Sequence, residues 1–391
     1  MHTQVAILGA GPAGSLLAHL LHRAGIESIV IERQRREHVL GRIRAGVLEW
    51  GTVEVLRAAG LGERLDAEGH VHTQTAIAYG GDRLFHFDIA KHADSRFVSY
   101  GQTNIQEDLY AAADAAGLQF EFEVADVEIH DVTTDRPSVT FTRRGERVRI
   151  DCRYVVGCDG FHGPSKEAIP AGVLRRYEKA YPFGWLGVLS RTPPLEHLVY
   201  ANSRHGFALC SQRNPMLSRY YVQCPLDDRV EDWSDDRFWT ELLARLPESV
   251  GDQIVTGPSI EKSITPLRSF VAEPMRWGNL FLAGDAAHIV PPTGAKGLNL
   301  AVSDVFYLSR ALIRREREHD DHYLDTYADM ALRRVWASVR FSWWMTSLLH
   351  RFPDQTDIDQ RLQEAELALL ESSDRAQALL CEQYAGLPFE A

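Results

Sequence analysis

Two groups of residues in this chain have the types and spacing to do chemistry. Ser211 and Arg213 stand two apart in a strand-like run, and Arg219 and Tyr221 repeat that spacing in the next, so each pair points to one face of a sheet. A turn at Asn214-Pro215 would bring hydroxyl, guanidinium and phenol together, a donor set suited to a carboxylate. The same alternation also describes an exposed polar sheet face; Tyr200 and Phe207 nearby add aromatic surface and favour a pocket for an aromatic acid. The second group is Phe281 to Asn299, FLAGDAAHIVPPTGAKGLN. It reads as a buried strand, a Gly284-Asp285 turn, a proline-stiffened loop and a helix start. An acidic side chain beside a helix N-terminus suits a cofactor that carries hydroxyls and gathers negative charge.

Such groups need a scaffold, and the N-terminal stretch supplies one. Val5 to Leu8 is a short apolar run of the kind that forms a parallel strand covered on both faces. Gly9, Gly11 and Gly14 follow at dinucleotide-fold spacing, with Pro12 where a first helical turn accepts proline. Ser28 to Ile31 makes a second strand that ends in Glu32, placed to accept hydrogen bonds from a ribose. The run RQRREHVLGRIR at 33 to 44 is basic; it reads either as a solvated helix face or as a mixed segment, with Arg44 on a pyrophosphate and Arg33, Gln34, Arg35 and Arg36 on a second nucleotide.

Farther on, Thr75 to Tyr79 and Leu84 to Ile89 flank Gly80-Gly81-Asp82 as a hairpin. Gln102 precedes a helical pattern, and Arg153 to Gly160 is an apolar strand ending in a Gly-framed acidic turn at Asp159. Between Tyr181 and Leu267 short strands alternate with turns around one helix, the pattern of an antiparallel sheet. Helical spacing returns from Leu298, and the apolar FSWWMTSLL at 341 to 349 reads as core or subunit interface. The expected fold class is α/β. A Rossmann-like FAD-type domain (residues 1–72, 97–180 and 268–345) carries an inserted, mainly antiparallel substrate domain (73–96 and 181–267), and a helical segment follows (346–391).

Composition narrows the function classes. The 391 residues exceed a single core, and 45% hydrophobic with 25% charged content is that of a globular protein. A net charge of -12 argues against nucleic acid or an anionic membrane as partner. Five scattered cysteines without a CxxC pair read as reduced thiols, no metal-ligand spacing is present, His288 reads as structural, and a cytoplasmic location is expected.

GAGPAG at 9–14, CDG at 158–160 and GDAAH at 284–288 occur in the order found in the FAD-dependent aromatic hydroxylases, which the chain resembles nearly end to end. RIRAGVLE at 42–49, YPFGWLG at 181–187, HGFALCSQR at 205–213 and PPTGAKGLN at 291–299 look most like the hydroxybenzoate branch of that family. The resemblance implies noncovalent FAD, NADPH in preference to NADH, oxygen, a flavin hydroperoxide, and 4-hydroxybenzoate hydroxylated beside its phenol to 3,4-dihydroxybenzoate, in a homodimer.

It also implies roles. Gly9, Gly11, Gly14, Glu32 and Arg44 would hold adenosine and pyrophosphate, and Gln102, Asp159 and Asp285 the ribityl chain and its surroundings. Lys296, Gly297, Leu298 and Asn299 would lie beneath the flavin pyrimidine. Ser211, Arg213 and Tyr221 would hold the carboxylate. Tyr200, Tyr384 and His72 would carry the phenol proton outward, with the Pro292 carbonyl toward the substrate oxygen. Arg219 would assist flavin movement, and Arg33, Gln34, His38, Arg44, His162 and Arg268 would meet the nicotinamide nucleotide. Two positions depart from the family pattern: Lys166 stands where arginine is common, and His38 where relatives carry tyrosine. Competing readings are a hydroxylase with another hydroxybenzoate preference, an FAD oxidoreductase without oxygen insertion, and a flavoprotein serving as sensor.

Overall fold

The computed structural model describes residues 1–41 and 46–389. Its organising layer is a six-stranded sheet in the order Arg276–Trp277, Leu280–Leu282, Tyr154–Gly157, Val5–Leu8, Ser28–Ile31, Gln119–Glu121, parallel except for the first strand. All four residues of Val5–Leu8 are buried, as a central parallel strand requires. The helix Pro12–Arg23 packs on this sheet through Leu16, Leu17 and Leu21, each no more than 1% exposed. Full burial of such side chains contributes about 1.5–3 kcal/mol apiece.

The second large layer is an eight-stranded sheet in which Arg175–Ser190, Leu217–Cys224, Ala208–Asn214 and Leu198–Ala201 are consecutive neighbours. The expected hairpin is present as Gln74–Tyr79 against Arg83–Asp88, and it joins this sheet through a parallel pairing with Leu198–Ala201. The fold is therefore α/β with an antiparallel-rich second sheet and helices at the end of the chain. Two strands run farther than the sequence suggested. Arg175–Ser190 and Ser259–Glu273 are each continuous, so the expected divisions at 180/181 and 267/268 fall within strands instead of linkers. Likewise the helix His322–Leu349 runs through the division at 345/346.

A separate cluster of buried side chains joins the second sheet to the last helices, with Tyr181, Trp185, Tyr200, Phe207, Phe341, Leu367 and Tyr384 among its members. Tyr200 and Tyr384, 184 positions apart, meet inside it. All five cysteines are free thiols. Among the described residues no helix is long and apolar enough to cross a membrane, and no cluster of side chains is arranged to hold a metal ion.

Candidate active site

The glycine motif folds as its spacing dictates. The Gly9 N–H donates to the Ile31 carbonyl at 2.7 Å, which closes the turn between strand and helix. A Cβ at Gly14 would lie 1.9 Å from the Gly9 carbonyl oxygen, so glycine is obligatory at that crossing. Gly11 forms the N-cap of the first helix with no side chain over it, leaving the helix N-terminus open to an anion. Glu32 accepts the Ala10 N–H at 3.0 Å and the Gln34 N–H at 2.8 Å, so its carboxylate is oriented by the motif it serves.

The partners on the other side of Ala10 carry no sequence pattern. Its carbonyl accepts from Ser15 Oγ at 2.9 Å, Gln106 Nε2 at 3.2 Å and the Tyr110 hydroxyl at 2.9 Å. Gln106 and Tyr110 come from the helix Gln102–Ala116, whose first residue is the expected Gln102.

A cavity of about 380 Å³ runs from this motif toward the second sheet, past Gly11, Glu32, Arg33 and Gln102, then Asp159 and Asp285, then Pro292, Gly297 and Leu298, to Trp185, Arg219 and Tyr221. Its polar ends and its open helix N-termini fit a dinucleotide carrying hydroxyls and phosphates. Asp285 is exposed to this space although its neighbours Gly284 and Ala286 are buried. Asp159 also borders it, but its carboxylate is engaged by the Ser165 N–H at 2.9 Å and hydroxyl at 2.6 Å; burial raises its pKa against those bonds. A larger cavity of about 920 Å³ lies beside Trp50, Phe306 and Phe389 and includes none of the glycine-motif residues. Its size is no guide to the chemistry.

The turn that carries Asp285 rests on a buried pair that the sequence did not disclose. Asp304 Oδ2 accepts the Gly284 N–H at 2.8 Å and meets His288 Nε2 at 2.6 Å. Burial acts to lower the His288 pKa, and Asp304 outweighs it, holding the imidazole above its ordinary value. His288 is thus structural, as its lack of ligand spacing suggested.

Two of the expected residues at the start of the Gly297–Glu318 helix have partners within the protein. Lys296 is buried and its ammonium donates to Glu49 Oε1 at 2.7 Å and to the Tyr384 carbonyl at 2.8 Å, away from the cavity. Asn299 holds the Glu49 N–H at 2.9 Å and the Val47 and Ala295 carbonyls at 2.9 and 2.8 Å. Both side chains therefore brace the strand Val47–Glu49, and neither lines the cavity; Gly297 and Leu298 do.

At the far end, register brings the expected donors together. Ser211 pairs with Arg219 and Leu209 with Tyr221. Arg219 is buried, donates to Glu261 at 2.9 Å and Ser263 at 3.0 Å, and lies over the Tyr221 ring at 5.1 Å. Ser211 spends its hydroxyl proton on the Arg219 carbonyl at 2.8 Å. Arg213 falls at a register shift between Gln212 and Asn214; burial lowers its pKa, opposed chiefly by Tyr221, and its Nε meets no hydrogen-bond partner. Of this set Arg219 and Tyr221 line the cavity.

The two phenols meet directly. The Tyr200 hydroxyl lies 3.0 Å from the Thr293 carbonyl and 3.0 Å from the Tyr384 hydroxyl. A carbonyl cannot donate, so Tyr200 gives its proton to Thr293 and Tyr384 gives its own to Tyr200. Burial raises both phenols, Tyr384 to about 12. The Pro292 carbonyl accepts the Ala295 N–H at 3.0 Å while Pro292 itself faces the cavity. His72 is buried, with its pKa pushed down to about 4 by desolvation and then by His70 and His197. It stacks on Phe97 at 5.0 Å, and Phe97 in turn packs edge-on against Tyr384 at 5.6 Å. A ring thus stands between His72 and the phenols, and His72 Nε2 has no partner.

The family described as FAD binding domain is matched over residues 2–342. The chain is 50% identical over 392 residues to p-hydroxybenzoate hydroxylase of Acinetobacter baylyi, covering 100% of this chain and 96% of that one. The chain belongs to the FAD-dependent aromatic hydroxylases. It is also 28% identical over 317 residues to 3-(3-hydroxy-phenyl)propionate/3-hydroxycinnamic acid hydroxylase of Mycolicibacterium gilvum, covering 77% of this chain and 52% of that one. Its fold matches the crystal structure of p-nitrophenol 4-monooxygenase from Pseudomonas putida with a TM-score of 0.82 at 18% identity, over 98% of this chain and 99% of the other. The enzyme is therefore an FAD-dependent aromatic monooxygenase acting on a small aromatic substrate with oxygen.

Two of the remaining expected residues border the cavity. Arg33 and Arg268 border the cavity, and Arg268 lies over the Phe161 ring at 4.8 Å. His38 and His162 are exposed, Gln34 is half-buried, and Arg44 lies outside the described residues. Arg36 is tied to Asp114 at 2.6–2.8 Å. Lys166 is buried and donates to the Phe161 carbonyl, bracing the CDG loop from within.

Proposed function

We propose that the enzyme hydroxylates 4-hydroxybenzoate at the 3-position to 3,4-dihydroxybenzoate with NADPH as reductant. The observation that carries this reading is the buried Tyr200–Tyr384 phenol pair seated on the Thr293 carbonyl, one residue from Pro292 on the cavity wall. The 50% identity to a p-hydroxybenzoate hydroxylase supports it. The balance is one aromatic C–H, one oxygen molecule, NADPH and a proton giving one aromatic C–OH, NADP⁺ and water. Bound FAD supplies the redox chemistry, accepting hydride from the nicotinamide and activating oxygen for transfer.

The chain's own residues prepare the substrate. Arg213, through its unpaired Nε, and Tyr221 hold the carboxylate, and Ser211 turns its hydroxyl from the Arg219 carbonyl to join them. With both hydroxyls turned outward, Tyr200 takes the substrate's phenolic proton as it passes its own to the Tyr384 oxygen, and Tyr384 releases its proton toward His72. The resulting phenolate is a better electron donor at the carbon beside it, and general base assistance of this kind is worth about 10²–10⁴-fold. His72, held neutral at physiological pH, takes the proton onward, with a water bridging past Phe97. Gly9, Gly11, Gly14, Glu32 and the first helix N-terminus hold the adenosine and pyrophosphate, assisted by Arg44; Gln102, Asp159, Asp285, Gly297 and Leu298 hold the ribityl and pyrimidine end. Arg219, poised between Glu261 and Tyr221, accompanies flavin movement. Arg33, Gln34, His38, His162 and Arg268 form the NADPH rim.

We further propose a homodimer. The helix Asp357–Ser372 exposes Ile358, Leu362, Ala365 and Leu369 along one face, an apolar stripe suited to a second copy. NADPH oxidation by the FAD-loaded enzyme should rise steeply with 4-hydroxybenzoate and hardly at all with benzoate; equal rates with both would overturn the assignment.

A further inference from the structure

Tyr384 is the penultimate residue of its helix, Asp374–Ala385, where backbone carbonyls lack intrahelical partners and the last turn frays unless tied down. Here it is tied at both ends. Its hydroxyl bonds to Tyr200 at 3.0 Å, and its carbonyl accepts from Lys296 Nζ at 2.8 Å. Lys296 is fixed in turn by Glu49, whose other oxygen accepts from Arg334 at 2.9 Å; all three side chains are buried.

The chain beyond the helix closes this arrangement. Gly386 adopts φ +91°, and a Cβ there would lie 1.9 Å from a Glu49 carboxylate oxygen, so only glycine lets the backbone lie against that group. Arg334 donates to the carbonyls of Leu387 and Pro388, and its guanidinium lies over the Phe389 ring at 4.8 Å. Phe389 stacks on Phe306 at 4.8 Å, which anchors the segment to the long helix. None of Gly386, Arg334 and Phe389 lines the cofactor cavity.

We infer that residues 386–389 are a latch, and that Gly386 and Arg334 are positioning residues which hold the Tyr384 hydroxyl on Tyr200. They act through Glu49 and Lys296 on the Tyr384 backbone. The inference rests on the phenol-relay reading above and extends it to a segment outside the cavity lining.

Gly386→Ala is the discriminating variant because it alters no charge. The readout is the ultraviolet difference spectrum of bound 4-hydroxybenzoate against pH, which reports its phenolate fraction without turnover; FAD affinity by fluorescence quenching and thermal midpoint are measured beside it. The latch predicts FAD affinity within about twofold of the parent and a phenolate fraction at neutral pH lowered several-fold, with fewer moles of product per mole of NADPH. Phe389→Ala, which removes only the ring anchor, should give the same change in smaller measure and serves if Gly386→Ala does not fold. A lowered thermal midpoint with an unaltered phenolate titration overturns the latch. Absence of any substrate phenolate band in the parent overturns the relay reading itself, and the latch with it.

Discussion

Asp304 offers a sharp test of how the site is built, because it is completely buried and far in sequence from the turn it supports. Its carboxylate accepts the Gly284 N–H at 2.8 Å and pairs with His288 at 2.6 Å. Asp304→Ala would leave two buried donors without partners and a cavity where the carboxylate stood. An orphaned buried donor costs about 1–3 kcal/mol, and removing one member of a buried pair about 3–5 kcal/mol, so a loss of about 3–4 kcal/mol is expected once His288 has relaxed to its neutral form. Asp304→Asn keeps an acceptor for Gly284 and, with a change of His288 tautomer, a bond to the ring; its cost should be nearer 1 kcal/mol. Because the turn presents Asp285 to the cavity, even 1.4 kcal/mol passed on to the cofactor weakens FAD binding about tenfold. Urea unfolding of the apoprotein followed by far-ultraviolet circular dichroism, with FAD titration by fluorescence, measures both quantities. A loss below about 1 kcal/mol in Asp304→Ala with unaltered FAD affinity would refute the argument that this pair supports the turn.

Other consequences follow from the same geometry. Tyr200→Phe removes the hydroxyl between Thr293 and Tyr384 and should lower hydroxylation about 100-fold while leaving substrate-stimulated flavin reduction within a few-fold; stopped-flow measurement of the two half-reactions separates them, and equal losses would count against the relay. Gly14→Ala places a methyl 1.9 Å from the Gly9 carbonyl, so FAD retention through gel filtration should be lost or sharply reduced. His72 has its folded pKa near 4 against 6.5 unfolded, so between those values the unfolded chain binds the extra proton and stability falls as pH falls. At about 1.36 kcal/mol per pH unit this amounts to about 3 kcal/mol over the window. His72→Gln should show a correspondingly shallower acid loss from pH 6.5 to 4, and superimposable stability profiles would contradict the burial argument.

What could be read from the sequence was local. The strand, glycine turn and helix of residues 5–23, and Glu32 at the end of the next strand, follow from periodicity and spacing within a few turns of chain. The hairpin at 74–88 and the adjacency of the strands that carry Ser211 and Arg219 were legible for the same reason, since a short turn joins neighbours. What could not be read was tertiary. Gln106 and Tyr110 on the Ala10 carbonyl, Asp304 under the Gly284 turn, and Arg334 on Glu49 join positions between 20 and 285 apart, and polar residues at those spacings carry no pattern. Lys296 and Asn299 were legible as residues near the cofactor end of a helix, but their direction was not. A buried Glu49 draws the ammonium inward, at 2.7 Å, and sequence alone gives no sign of that partner. The strands at 175–190 and 259–273 run through positions 181 and 267, where the sequence changes character, and Pro182, Gly184 and Pro266 are accommodated at a register shift within them.

The central claim, oxygen insertion into a hydroxybenzoate prepared by the Tyr200–Tyr384 pair, is tested most directly by turnover under ¹⁸O₂. FAD-loaded enzyme with NADPH and 4-hydroxybenzoate should give 3,4-dihydroxybenzoate carrying one ¹⁸O atom, in amounts close to the NADPH consumed. NADPH consumed with hydrogen peroxide as the only oxygen product, or a hydroxylated product without the label, would contradict it.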